Sequence, residues 1–292
     1  MGKVASVAWT EGISAALPAA DVRHIHHLHP LAVERIREQA TRTGPTQNIK
    51  RVRLLQMGAN QPLGELPAKF VDGRWTGSSP LQIVSGIRDP VDRSISMLFF
   101  AADFYGHKEL ALSFRENASL GFLLEYFRET WRQSLSDRIP ETTFEQLLCQ
   151  SLLRYRDWFD LQFRDFLHLD LMQAGFDFER SSLTLREGAV EVLCYRFEDM
   201  KEGSDAWGRL SASASEFLGT PITTLPRANA AQNRRARELY SAFRSQITLP
   251  DDILDEIYSA PMVRLFYTPA ELDAFKSRWR ERRGSEQIAA QG

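Results

Sequence analysis

The chain has only two cysteines in 292 residues, Cys149 and Cys194, and they lie far apart. That spacing excludes a disulfide framework and a zinc knuckle, and it suits a reducing compartment. Long apolar runs are missing too. No stretch approaches the roughly 20 residues of a membrane-spanning helix, so no integral membrane segment is expected. Glu11 interrupts the apolar scatter near the N-terminus, which removes the case for a signal peptide. Charge of one sign is not in excess. The 36 Lys and Arg against 38 Asp and Glu leave a net charge of -2, which gives no global reason to bind nucleic acid or an anionic membrane. Repeats and low-complexity linkers are absent. The expectation is a cytoplasmic protein with no nucleic-acid partner.

What is present is ordinary globular composition, 43% hydrophobic and 25% charged, in a chain long enough to bury a sizeable core. Residues 7 to 17 fit a short helix closed by Pro18, and 21 to 28, "DVRHIHHL", read as a strand. A helix follows from Pro30 to Gly44. Residues 45 to 80, rich in Gly and Pro in their second half, read as an irregular insertion or as a hairpin with a turn near Asp72-Gly73. A strand at 81 to 88 precedes helices near 90–105, 117–134 and 142–167. A buried strand, "VEVLCYRFEDM" (190–200), leads into an acidic turn. Helices near 205–218, 229–245, 251–259 and 269–282 complete the pattern, and the tail from Gly284 is polar. Strands separated by helices predict one α/β domain over 1–283, with a central, mainly parallel sheet flanked by helices. In such sheets ligands bind beyond the carboxyl ends of the strands.

Three segments beside predicted strand ends or helix starts carry chemistry. In "IRDPVDRSIS", Arg88 ends a strand, Pro90 fits a first helical turn and Ser96 follows eight residues after the arginine. A helix N-terminus favours anions, and a guanidinium fork and a hydroxyl would add to it, so this is a candidate phosphate site. The competing reading pairs Arg88 with a structural carboxylate and leaves Ser96 on a helix surface. In "RHIHHL", His24 and His26 share one strand face, and four of the six histidines fall between 24 and 29. A neutral imidazole there suits a general base; a structural role comes next, and a metal site last, since no acidic or thiol ligand completes a set. The N-terminal "MGKVAS" sets Gly2, Lys3 and Ser6 before a helix, as a compact anion cradle or an ordinary solvated terminus. It lacks Walker A spacing.

Taken in order, "MGKVAS", "RHIHHL", "IRDPVDRSIS", "VLCYRFEDM" and "LFYTPAELDAFKSRW" resemble the PAPS-dependent sulfotransferases, most nearly the bacterial capsular polysaccharide synthesis proteins among them. The resemblance spans nearly the whole chain except residues 45 to 80. It implies a three-layer, P-loop-like α/β fold and a transferase that moves a sulfuryl group from PAPS to a hydroxyl of a saccharide or similar acceptor. By the same resemblance Arg88 and Ser96 would hold the 3′-phosphate. Gly2, Lys3, Val4, Ala5 and Ser6 would hold the 5′-phosphosulfate. His26 would be the base with His24 in support, and Lys3 would assist the departing phosphate. Arg234 or Arg235 would close over the cofactor, and Glu198 would fix a structural corner. No metal is implied. Ala5 stands where the family usually has glycine. The loop opens the chain with no strand before it. The expectation is a translation start upstream, the other possibility being a cofactor site without its supporting strand. A glycosyltransferase-type enzyme of polysaccharide assembly and a non-catalytic relative are the alternatives.

Overall fold

The computed structural model describes residues 6–22, 70–71, 74–105, 120–135, 152, 155–156, 158–226 and 234–280. The chain divides into two compact units. The first comprises residues 1–88, 104–106 and 157–232; the second comprises 89–103, 107–156 and 233–292.

The first unit is mixed α/β. Helix α1 (Ser6–Ala16) opens it. A small antiparallel hairpin pairs Phe70 with Trp75 and Val71 with Arg74, so its strands, β1 (Phe70–Val71) and β2 (Arg74–Trp75), flank Asp72-Gly73 as the sequence predicts. The main sheet has three strands: β3 (Leu81–Ile87), β4 (Ser182–Glu187) and β5 (Val190–Arg196), in the order β3-β5-β4. β3 runs parallel to β5 in the register Leu81↔Val190 to Ile87↔Arg196. β4 runs antiparallel to β5, from Glu187↔Val190 to Ser182↔Tyr195. The described sheet is therefore mixed rather than mainly parallel. The reason is local: β4 and β5 are joined by only Gly188-Ala189, and two residues can reverse a strand but cannot cross over to a parallel one. Gly188 has φ +57°, the left-handed geometry such a turn demands.

β5 is buried along nearly its whole length, as a central strand must be. Leu193 and Tyr195 point to one face and join Trp9, Trp207, Leu210, Ala214 and Ile222 in a core cluster. The helix α4 (Asp205–Leu218) that supplies three of these residues starts at Ser204, whose side chain accepts from the Trp207 amide. Before the sheet, the region expected to be helical to 167 does end there. It carries a wider π-type turn at Asp160–Arg164, and His168 follows in a left-handed conformation.

The second unit is helical among the described residues. α2 (Pro90–Tyr105) lies in it as far as residue 103 and buries Val91, Ile95 and Leu98 on one stripe. α3 (Leu120–Leu135) buries Leu123, Phe127 and Trp131, four residues apart. Its Arg128 donates to the carbonyl and hydroxyl oxygens of Thr248 at 2.9 and 2.8 Å. α5 (Arg234–Gln246) brings Phe243, whose ring meets Phe127 edge-on at 5.6 Å. Then come α6 (Asp251–Ser259), α7 (Pro261–Phe266) and α8 (Pro269–Trp279). α8 begins with a capping box between Thr268 and Glu271. Of these helices only α7 and the strand β4 lack a counterpart in the sequence reading. Among the described residues no helix is long and apolar enough to cross a membrane.

Candidate functional site

In the first unit, β3 and β5 end side by side; β5 ends on Arg196, and Arg88 directly follows β3. Their fates differ. Arg196 is buried, and its guanidinium donates through two nitrogens to Asp199, at 2.7 and 2.8 Å. Its Cζ lies 4.9 Å from the Phe176 ring centroid and 5.4 Å from that of Phe178. The acidic corner after β5 is thus held by a bidentate pair, through Asp199, to which the sequence reading gave no role. Arg88, one residue past β3, is only half-buried, and its Cζ sits 4.4 Å above the ring of Phe197. An aromatic face under a guanidinium attracts its charge.

The same end of the sheet receives α1. Trp9, one turn from Ser6, is buried, and its ring lies 5.1 Å from that of Tyr195. Tyr195 is the neighbour of Gly86 across the parallel pair. A Cβ at Gly86 would come within 2.5 Å of Tyr195 Cζ. The glycine is therefore what lets the Tyr195 ring lie over β3 toward α1. Burial pushes the Tyr195 phenol far above its ordinary value, and that of the Cys194 thiol likewise. Both groups are thereby held in their protonated forms at neutral pH. The amino-terminal half of α1 thus packs on the penultimate residues of β3 and β5, two residues before Arg88.

Ser6 is the first residue of α1. Gly2, Lys3, Val4, Ala5, His24 and His26 lie outside the described residues, as do Cys149 and residues 23–28 of the strand expected at 21–28; Asp21 and Val22 are described and are not in a strand. Arg234 and Arg235 form the first turn of α5. Among the described residues no group of His, Cys, Asp and Glu converges as a metal site.

In the second unit, the start of α2 is capped from within the chain. Asp89 is 1% exposed. Its Oδ1 accepts from the Val91 amide at 3.1 Å and from the Tyr258 hydroxyl at 2.6 Å, while Oδ2 accepts from Trp279 Nε1 at 2.8 Å. The aspartate caps α2 itself and ties it to α6 and α8. Burial raises the Asp89 carboxyl above its ordinary value, against the hydrogen bonds from Tyr258 and Trp279 that lower it. Further along α2, Ser94 donates back to the Pro90 carbonyl at 2.6 Å. Ser96 Oγ lies 3.2 Å from Tyr240 OH, and Arg244 Nε donates to Asp92 Oδ1 at 2.5 Å.

No family model, curated protein or solved structure matches this chain.

The sequence reading missed Phe197, Asp89 and Tyr240. The first was legible as the aromatic that directly follows the end of β5. The second was legible as an Asp directly before a helix-starting proline, a capping position. Nothing local in the sequence pairs Tyr240 with Ser96, which are 144 residues apart.

Proposed function

We propose that the chain is a PAPS-dependent sulfotransferase of three-layer, P-loop-like fold, acting on a hydroxyl of a saccharide or similar acceptor in surface or capsular polysaccharide synthesis. The observation that carries this reading is the carboxyl end of the parallel pair. There an arginine rests on an aromatic face, half-buried, beside the strand ends on which the first helix packs. Arg88 in this reading grips the 3′-phosphate with two edge N–H groups. The free buried Cys194 suits a reducing, cytoplasmic setting.

PAPS, when bound, supplies an activated sulfuryl group and a phosphate leaving group. His26 takes the proton from the acceptor hydroxyl as the acceptor oxygen forms its bond to sulfur, and His24 steadies the imidazole. Lys3 and the backbone N–H groups of residues 2–6 meet the charge that gathers on the phosphate oxygen as its bond to sulfur breaks. Ser96 is the second phosphate ligand implied by the family pattern, and Arg234 or Arg235 would close over the bound nucleotide.

The test is calorimetric titration with 3′,5′-phosphoadenosine, 5′-AMP, ADP and a nucleotide sugar, beside Arg88→Ala. A charge-assisted hydrogen bond contributes about 1.5–3 kcal/mol, so Arg88→Ala should weaken phosphoadenosine binding roughly 10- to 100-fold and leave 5′-AMP nearly unchanged. Equal binding of the two adenosine nucleotides, indifference to Arg88→Ala, or preference for the nucleotide sugar would overturn the proposal.

A further inference from the structure

Helix α1 carries a glycine in its interior, Gly12. Such a residue costs stability relative to alanine, and the space it leaves is taken. A Cβ there would come within 2.5 Å of Leu225 Cδ2 and 3.7 Å of Pro226 Cδ. Leu225 belongs to residues 221–226, a strap outside helix and strand that follows α4. Prolines at 221 and 226 restrict its backbone. The Ile222 amide donates to Ser215 Oγ at 2.8 Å, Ser211 Oγ donates to the Ile222 carbonyl, and Trp207 Nε1 donates to the Thr223 carbonyl at 3.3 Å. These partners fall one turn apart, so the strap retraces α4 from its end toward its start. Ile222 is buried in the core cluster, and Leu225 packs against that cluster. The Trp207 ring that holds Thr223 also lies 6.5 Å from the Trp9 ring. Helix α1 is thus gripped at two heights: at Trp9 by Tyr195 and Trp207, and about a turn further on, at Gly12, by Leu225.

We infer that Leu225 is a positioning residue for the 5′ end of the bound nucleotide. The inference rests on the sulfotransferase reading, in which the segment ending at Ser6 meets the 5′-phosphosulfate. Ser6 starts α1, about 9 Å along the helix axis from Gly12. A helix is stiff over that length, so the seat at Gly12 sets where its first amides lie. Hydrogen bonds weaken steeply when donor and acceptor are misaligned, so a small tilt of α1 is felt at the anion. Arg88 follows β3 and is no part of α1. Recognition of the 3′-phosphate is therefore independent of this seat.

The experiment titrates 3′,5′-phosphoadenosine, adenosine 3′-phosphate and 5′-AMP calorimetrically into wild type, Leu225→Ala, Leu225→Val and Leu225→Met, with the melting temperature of each. The preference for 3′,5′-phosphoadenosine over adenosine 3′-phosphate reads the 5′ end; its preference over 5′-AMP reads the 3′ end. Leu225→Ala should lower the first ratio about three- to tenfold, the size of one hydrogen bond, and leave the second unchanged. Leu225→Met, close to it in volume, should keep both ratios. Leu225→Val withdraws less of the side chain and should lower the first ratio by less, which keeps the test open if Leu225→Ala does not fold. A wild type that binds 3′,5′-phosphoadenosine no better than 5′-AMP overturns the sulfotransferase reading and this inference with it. A wild type that prefers it over 5′-AMP but not over adenosine 3′-phosphate overturns this inference alone. So does a truncated Leu225 that lowers the melting temperature yet keeps both ratios, or one that lowers both ratios together.

Discussion

Asp89→Ala should be among the most damaging single changes in the second unit, and its cost can be worked from three hydrogen bonds. The substitution leaves Tyr258 OH and Trp279 Nε1 without their acceptor, in side chains that are 2% and 1% exposed. A buried donor left unsatisfied costs about 1–3 kcal/mol. Loss of the cap on the Val91 amide adds about 1 kcal/mol. Against this stands relief from burying a carboxylate, the effect that raises its pKa. The net expectation is a loss of about 3 kcal/mol or more. Urea unfolding followed by circular dichroism measures it, with Tyr258→Phe as a partner variant that removes one donor and should cost less. An Asp89→Ala protein within about 1 kcal/mol of wild type would refute the view that this carboxylate holds α2 to α6 and α8. Titration adds a second handle. The folded carboxyl binds its proton more tightly than the unfolded one, whose ordinary value is 3.8, with Asp92 pushing the same way. Its stabilising contribution is therefore full below the unfolded value and lost as pH rises through the folded one. Relative to Asp89→Asn, which does not titrate, wild type should gain stability as pH falls from neutral toward 4; a constant difference would contradict the raised value.

Two other predictions concern the first unit. Gly86→Ala puts a methyl group against the Tyr195 ring at 2.5 Å and should cost about 1–3 kcal/mol by overpacking; thermal unfolding checks it, and Tyr195→Leu should recover part of the loss. Asp199→Ala leaves the buried Arg196 guanidinium without its bidentate partner and should cost about 3–5 kcal/mol, more than Glu198→Ala in the same urea assay.

The helices were legible because their apolar spacing and their end signals agree. For α2 that means Pro90 at the start and Ile95, Leu98 and Phe99 along one side; for α4, Ser204 before and Gly219 after. The strand β4 escaped because "SLTLRE" offers only two large apolar residues in alternation, and its signal lay in the turn, where a glycine follows Glu187 two residues before β5. Missing that hairpin is what made the sheet look mainly parallel. The site was legible in part. Arg88 at a strand end could be read from the period change at residue 88, and a glycine inside a strand already hinted at a close approach. The tyrosine beside Ser96 comes from a distant part of the chain, and no local pattern encodes a contact of that range.

The Arg-Asp-Pro tripeptide reads as one motif, yet its members answer to different demands. Arg88 is half-buried, whereas Asp89 and Pro90 are buried at the start of a helix that needs both to form and to dock. Any copy that lost the aspartate would leave two buried donors stranded. The second and third letters of the tripeptide are therefore a record of shape: they start a helix and seat it.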